Sequence, residues 1–363
     1  MVEPRAQDSG RFEELLTLLL SAARLCGAQG LQLQVREAPL KLRELARVYG
    51  VDELLSLPFA CWAFAKLADL PFPIPPLAVG AGLLFVYNRE PIYNTTGNII
   101  GGNFQSTMAG EFAFSISLTF AILYLGVAIR GLRTGRHRAL AAVLFALAGL
   151  CHLIPAFFVL ACTAALFVVH PGRARFRWLL TMVPVAGLLT AFWVLPFWWN
   201  RDYVNDMGWE RLPVPNSQES GLAYYLLPNG LKWVMAMAVV GVILSLLRRY
   251  EVGMVLTAAW IGVVVAFSWL PQSRLWNARL LPFMYLSVCL LAAIGLGELL
   301  RIAGALANGR PERPLRFITV PATALAFSGV LLFVSLPLSG MFPKVIDRKV
   351  VTVGAETKTE SSF

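Results

Sequence analysis

Three short polar stretches interrupt an otherwise apolar sequence, and each holds side chains able to do chemistry. The first runs Gly101-Gly102-Asn103-Phe104-Gln105-Ser106-Thr107-Met108-Ala109-Gly110-Glu111-Phe112. Asn103 suits a helix N-cap, because its side-chain oxygen can accept from a free amide of the first turn. A helix begun there carries Thr107, Glu111, Ser115 and Thr119 at i+4 spacing, hence on one face. Glu111 then lies one to two turns into an apolar span, where a carboxylate is costly unless it faces a bundle interior or a wet cavity. Such a group suits a general base or a substrate ligand. The plainer alternative is a carboxylate stabilised by the positive end of the helix dipole.

The second stretch is Ser273-Arg274-Leu275-Trp276-Asn277-Ala278-Arg279-Leu280. Arg274 and Arg279 flank Trp276 at the mouth of an apolar run, and guanidinium groups bind phosphate bidentately. A Trp anchor with snorkelling arginines would look the same. The third stretch, Trp198-Trp199-Asn200-Arg201-Asp202-Tyr203-Val204-Asn205-Asp206, suits an aromatic belt. Aromatic faces beside carboxylates also bind sugars, and Asp202 with Asp206 would share a divalent cation if helical. His152 lies inside an apolar run beside Pro155, as a ligand, a proton relay or a hydrogen-bonded helix-break residue. No phosphate-binding loop, dinucleotide fingerprint, metalloprotease motif or metal-ligand spacing is present in the sequence.

The elements that must position these residues are membrane helices. The 363 residues are 57% hydrophobic and only 14% charged, against about 25% charged in a soluble domain. Mean hydropathy is +0.65. The net charge of +10 is gathered in short clusters between apolar runs, which is how loops facing anionic lipid look and not how a nucleic-acid surface looks. A crossing needs about 20 apolar residues. Runs of that kind begin at residue 58 and cover 58–87, 112–129, 139–169, 178–199, 231–247, 252–270, 280–300 and 317–338. The fold expected is an all-α, polytopic transmembrane bundle over 58–338, with membrane lipid as its surroundings.

Two runs are expected to break. Pro71, Pro73, Pro75 and Pro76 make 58–87 either one distorted crossing or a hairpin of short helices. The run 139–169 lies between two basic loops, Arg130–Arg138 and Arg173–Arg177, which the positive-inside rule puts on one side. It must therefore leave on the side it entered, by a hairpin turning at His152-Leu153-Ile154-Pro155. Residues 1–57 read as one or two amphipathic helices, on the cytoplasmic surface or packed on the membrane domain, and 339–363 as a poorly ordered extracytoplasmic tail. The three polar stretches all fall on the outer side.

Gly101 through Ser115, the basic Arg130-Gly131-Leu132-Arg133-Thr134-Gly135, Cys151-His152-Leu153-Ile154-Pro155 and Leu275-Trp276-Asn277-Ala278-Arg279-Leu280-Leu281-Pro282-Phe283 together resemble one family. It is the actinobacterial family labelled 6-pyruvoyl-tetrahydropterin synthase-related membrane domain, similar to the GT-C glycosyltransferases. Nothing in these residues points to pterin chemistry. The resemblance spans roughly 58–345. It implies a multi-pass protein of the cytoplasmic membrane that moves a sugar from a polyprenyl-phosphate donor to an envelope glycan acceptor. It makes Glu111 the base or an acceptor ligand, puts Arg279 and Arg274 on the donor phosphate beside Trp276, and has Asn103 and His152 orient groups, with Asp202 at the sugar. GT-C enzymes carry an acidic first outer loop after a first membrane helix. Residues 1–57 supply neither, and members extend further at the C-terminus, so the chain reads as a truncated or divergent member. The rival readings are a non-catalytic lipid-binding or scaffold subunit and, with its broken helices, a transporter.

Overall fold

A computed structural model describes residues 52–87, 100–108, 110–203, 222–270, 275–308, 316–341, 348–353 and 356–361. The chain divides into two units: Asp52–Pro337, and Met1–Val51 with Leu338–Phe363. Among the described residues the first unit is all-α. Its helices are α1 (Asp52–Leu67), α2 (Ile74–Val86), α3 (Phe104–Met108), α4 (Phe112–Thr134), α5 (Arg138–Cys151), α6 (Leu153–Val169), α7 (Arg173–Trp199), α8 (Leu222–Leu226), α9 (Lys232–Arg248), α10 (Glu251–Trp269), α11 (Leu281–Asn308) and α12 (Arg316–Met341).

Four stretches are long and apolar enough to cross a membrane: Phe112–Thr134, Arg173–Trp199, Glu251–Trp269 and Asn277–Ala307. They differ in how the protein covers them. The most apolar part of the Asn277–Ala307 span is 83% buried inside the bundle, whereas that of α7 is only 22% buried. α7 turns Leu188, Phe192 and Leu195 outward. A helix apolar all round with most of its surface uncovered by protein is suited to lipid, not water. These helices make the chain a membrane-associated protein.

Both runs expected to break do so, each as a helical hairpin. In the first, Ser56 of α1 hydrogen-bonds Thr119 at 3.1 Å, and at the far end the Ala68 carbonyl accepts from Arg133 at 3.1 Å. α2 then returns, with Ile74 against α11 near Gly297 and Phe85 against Gly102. In the second, α5 and α6 meet at His152, and both limbs touch Tyr124: the Phe145 ring at 5.2 Å and the Thr163 hydroxyl at 3.0 Å.

The first hairpin moves a boundary. Residues 52–57 are helical, and Ser56 lies toward the end of the bundle where α4 begins. They pack on the bundle at the end opposite the basic loops, as the packed alternative for 1–57 expects and the cytoplasmic-surface alternative does not. The cause is the pair of short helices: two traversals bring the chain back to its starting level. Residues 1–51 lie outside the described residues.

One end of the bundle is basic, and one carboxylate ties it together. Glu251, at the start of α10, accepts from Arg133 of α4 at 2.8 Å and from Arg175 of α7 at 2.6 Å, with His170 at 3.4 Å. The two basic loops thus meet at a single group, which is why α5 and α6 must return to the level they left. A second knot surrounds Glu298 of α11. Arg301 and Tyr250 reach its Oε1 at 2.5 and 2.8 Å, and Arg248 stands 3.6 Å from Oε2. Burial, followed by this carboxylate contact, raises the Tyr250 hydroxyl above its ordinary pKa, so it remains the donor. Removing Glu251 takes the nearest carboxylate from two arginines, of which Arg175 is only 16% exposed and keeps just the Leu166 carbonyl among its described partners. Glu251→Ala is expected to cost roughly 2–3 kcal/mol, below the fully buried case because Arg133 can reach water. Thermal unfolding in detergent checks this; an unchanged melting temperature would mean the knot is ornamental.

In the other unit, the tail contributes β1 (Arg348–Val353) and β2 (Glu356–Ser361), an antiparallel pair in register from Arg348 opposite Ser361 to Val353 opposite Glu356. The segment 339–363, expected as a poorly ordered tail, carries this strand pair. The β-branched residues Val350, Val351, Thr352, Val353, Thr357 and Thr359 are the signal for it, since they favour pleated strands.

Candidate functional site

The end of the bundle opposite the basic knots carries the polar stretches. Asn103 caps α3 as its sequence suggests: Oδ1 accepts from the Ser106 amide at 2.9 Å. The helix does not run on from there. It stops at Met108 and restarts at Phe112, with Gly110 between them at φ +100°, a conformation open to glycine and costly for other residues. Glu111 is therefore not one to two turns inside a helix. It occupies the break, as the residue before α4, and makes no side-chain cap of that helix.

The break splits the polar stripe. Thr107, Ser115 and Thr119 still line up: Thr107 bonds Ser115 at 2.7 Å, the Thr119 hydroxyl donates to the Ser115 carbonyl at 3.1 Å, and Thr119 meets Ser56. That ladder is satisfied internally and joins α1, α3 and α4. Glu111 leaves it and turns to Arg279.

The Glu111 carboxylate and the Arg279 guanidinium face each other fork to fork: Nη1 donates to Oε2 and Nη2 to Oε1. The two residues are 168 positions apart and remain 21% and 16% exposed. Arg279 is held by a single 3-10 turn, Asn277–Leu280, that leads into α11. Its guanidinium lies 5.7 Å from the centre of the Trp276 ring, and the buried Trp276 indole N–H has no acceptor among the described residues. Trp276 is thus turned inward. The exposed Trp198 and Trp199 at the end of α7 suit the interfacial belt instead.

His152 belongs to the same neighbourhood. It caps α6, its Nδ1 accepting from the Ile154 amide at 3.3 Å, and it lies within electrostatic reach of Arg279. Its ring meets Phe114, in the first turn of α4, edge-on at 5.0 Å. The hairpin thus raises His152 from the middle of an apolar run to the level of the pair. Asp202 sits in an exposed 3-10 turn, Arg201–Tyr203, at the end of α7. Arg274 and Asp206 lie outside the described residues, and so does the proposed sharing of a cation by Asp202 and Asp206. Among the described residues, no three His, Cys, Asp or Glu side chains converge as a metal site would require.

Sequence reasoning missed what stands beside the pair. Phe283 stacks on Phe158 at 4.3 Å and on Phe114 at 5.9 Å, forming an aromatic wall. Along that wall an apolar cavity of about 370 Å³ runs between α6 and α10, bounded by Leu275, Leu280 and Phe283 next to Arg279. Small residues hollow it out: Ala161 and Ala165 on α6 face Ala258, Gly262 and Ala266 on α10, each set at i+4 spacing. That spacing was the available signal. The geometry offers a planar cation and a carboxylate at one end of a membrane bundle, with an apolar cavity lined by Leu280, the residue after Arg279. No family model, curated protein or solved structure matches the chain.

Proposed function

We propose that this chain is a membrane-embedded glycosyltransferase of the polyprenyl-phosphate-sugar-dependent kind, working at the outer face of the cytoplasmic membrane on an envelope glycan. The observation that supports it is the meeting of Glu111 and Arg279 at one end of an apolar bundle. The reaction needs two things there. An acceptor hydroxyl must lose its proton as its oxygen attacks the anomeric carbon, and Glu111 is the carboxylate available to take it. The bond from that carbon to the phosphate oxygen breaks, and the departing polyprenyl phosphate keeps the electron pair. Arg279 offers the fixed cation that stabilises this charge. The apolar cavity accommodates part of the lipid chain, while the bundle supplies positioning.

A non-catalytic reading has one specific observation in its favour. The fork leaves both Glu111 oxygens and both terminal Arg279 nitrogens occupied by each other, as a purely structural clamp would. Transfer of label from a polyprenyl-phospho-sugar by the purified protein in proteoliposomes separates the two. Transfer by the wild type is expected; transfer equally fast in Glu111→Gln and Arg279→Ala would remove both residues from the mechanism.

A further inference from the structure

The fork poses a problem for any anion meant for Arg279. A phosphate cannot take both terminal nitrogens while the Glu111 carboxylate holds them, and its charge is repelled by that carboxylate at contact distance. Three observations bear on how the conflict is resolved. Glu111 is not locked in a helix: it sits in the two-helix break next to Gly110, and its side chain caps nothing. Arg279 is fixed from the other side by a single 3-10 turn and the Trp276 ring. Among the described residues the buried Trp276 indole N–H has no acceptor, a donor left unused while the fork is closed.

We propose that the Glu111–Arg279 pair is a latch, opened when the phosphate of a single-chain lipid phosphate takes Arg279 from Glu111. Glu111 is the mobile partner and Arg279 the fixed one. The orphan Trp276 N–H finds its acceptor in a phosphate oxygen, which repays part of the cost of breaking the fork. The apolar cavity that begins at Leu275, Leu280 and Phe283 takes the first part of the lipid chain, which favours a lipid phosphate over a soluble one. One consequence deepens the proposed reaction, on which this inference rests: the donor frees the base. Glu111 is occupied until a lipid phosphate arrives, so the carboxylate is released to an acceptor only when there is something to transfer.

The test is binding of dodecyl phosphate and of inorganic phosphate to the full chain in phosphatidylcholine nanodiscs. Removing the competing carboxylate must strengthen binding. Glu111→Gln and Glu111→Ala are both expected to bind dodecyl phosphate about tenfold more tightly than wild type, as when a closed state that taxes affinity is abolished. Arg279→Gln is expected to lose it, alone or combined with Glu111→Gln. Inorganic phosphate should bind far more weakly throughout. Unchanged or weakened binding in either Glu111 variant with a wild-type elution profile overturns the latch, and inorganic phosphate binding as tightly as dodecyl phosphate overturns its lipid ligand. A tenfold gain without any sugar transfer by the wild type sinks the transferase and leaves the latch; transfer without the gain does the reverse.

Discussion

Arg279→Ala is expected to lower sugar transfer by roughly 10²–10³-fold, the usual loss when one preorganised donor to a developing negative charge is deleted. The magnitude follows from geometry. A guanidinium held by a 3-10 turn and only 16% exposed meets a phosphate with two parallel hydrogen bonds, and such charge-assisted pairs are about twice as strong as neutral ones. Arg279→Lys keeps the charge and loses the fork, so its activity should fall between the two. The fold should survive either change, because Glu111 retains access to solvent once its partner is gone. Initial transfer rates in proteoliposomes at saturating acceptor measure this. A loss below about threefold, less than the ~1 kcal/mol of a surface ion pair, would show that Arg279 does not face the leaving phosphate.

Gly241→Ala is expected to be the most damaging single-methyl change in the bundle. α9 and α11 make the most extensive helix contact among the described residues, and they meet across glycines. A Cβ on Gly241 would lie 2.0 Å from the Leu291 carbonyl oxygen, and one on Gly295 would lie 2.6 Å from that of Met237. Both obstacles are helix backbone, which cannot rotate aside as a side chain can. The helices would have to separate, giving up the close packing that holds membrane helices together where the hydrophobic effect gives no help. The cost is about 3 kcal/mol, at the upper end for an added methyl in a packed core. Gly187→Ala is the matched control: its Cβ meets nothing within 4 Å. A melting temperature for Gly241→Ala that matches the Gly187→Ala value would contradict this packing.

Much of the bundle is legible in the sequence because membranes impose a simple grammar of apolar runs and basic loops. The prolines at 71–76 and the His152–Pro155 turn mark both hairpins, and the basic loops required the second to return. What joins those loops was not legible. Glu251 follows Arg248-Arg249-Tyr250 and looks like a solvated turn residue, yet it receives Arg133 and Arg175 from 118 and 76 positions away. The site divides in the same way. Glu111, Arg279 and Trp276 each stand out locally, as ionisable or aromatic groups at the edge of an apolar run. Their meeting is a long-range contact, and no periodicity reports on it. The i+4 pattern through Thr107 and Ser115 predicted a continuous helix because Gly110 lowers helix propensity by only about 1 kcal/mol relative to Ala. The helix stops at Met108, and the positive φ of Gly110 turns the chain so that Glu111 meets Arg279.

The central claim is that Glu111 and Arg279 are a working pair and not a clamp. Glu111→Gln tests it most directly when transfer and thermal unfolding are measured on the same preparation. Glutamine keeps the shape and can still accept one hydrogen bond from Arg279, but it cannot take a proton. Transfer is expected to fall about a hundredfold or more, within the usual contribution of a general base, with a melting temperature within a few degrees of wild type. Wild-type transfer alongside a large drop in melting temperature would contradict it and leave the pair as part of the scaffold.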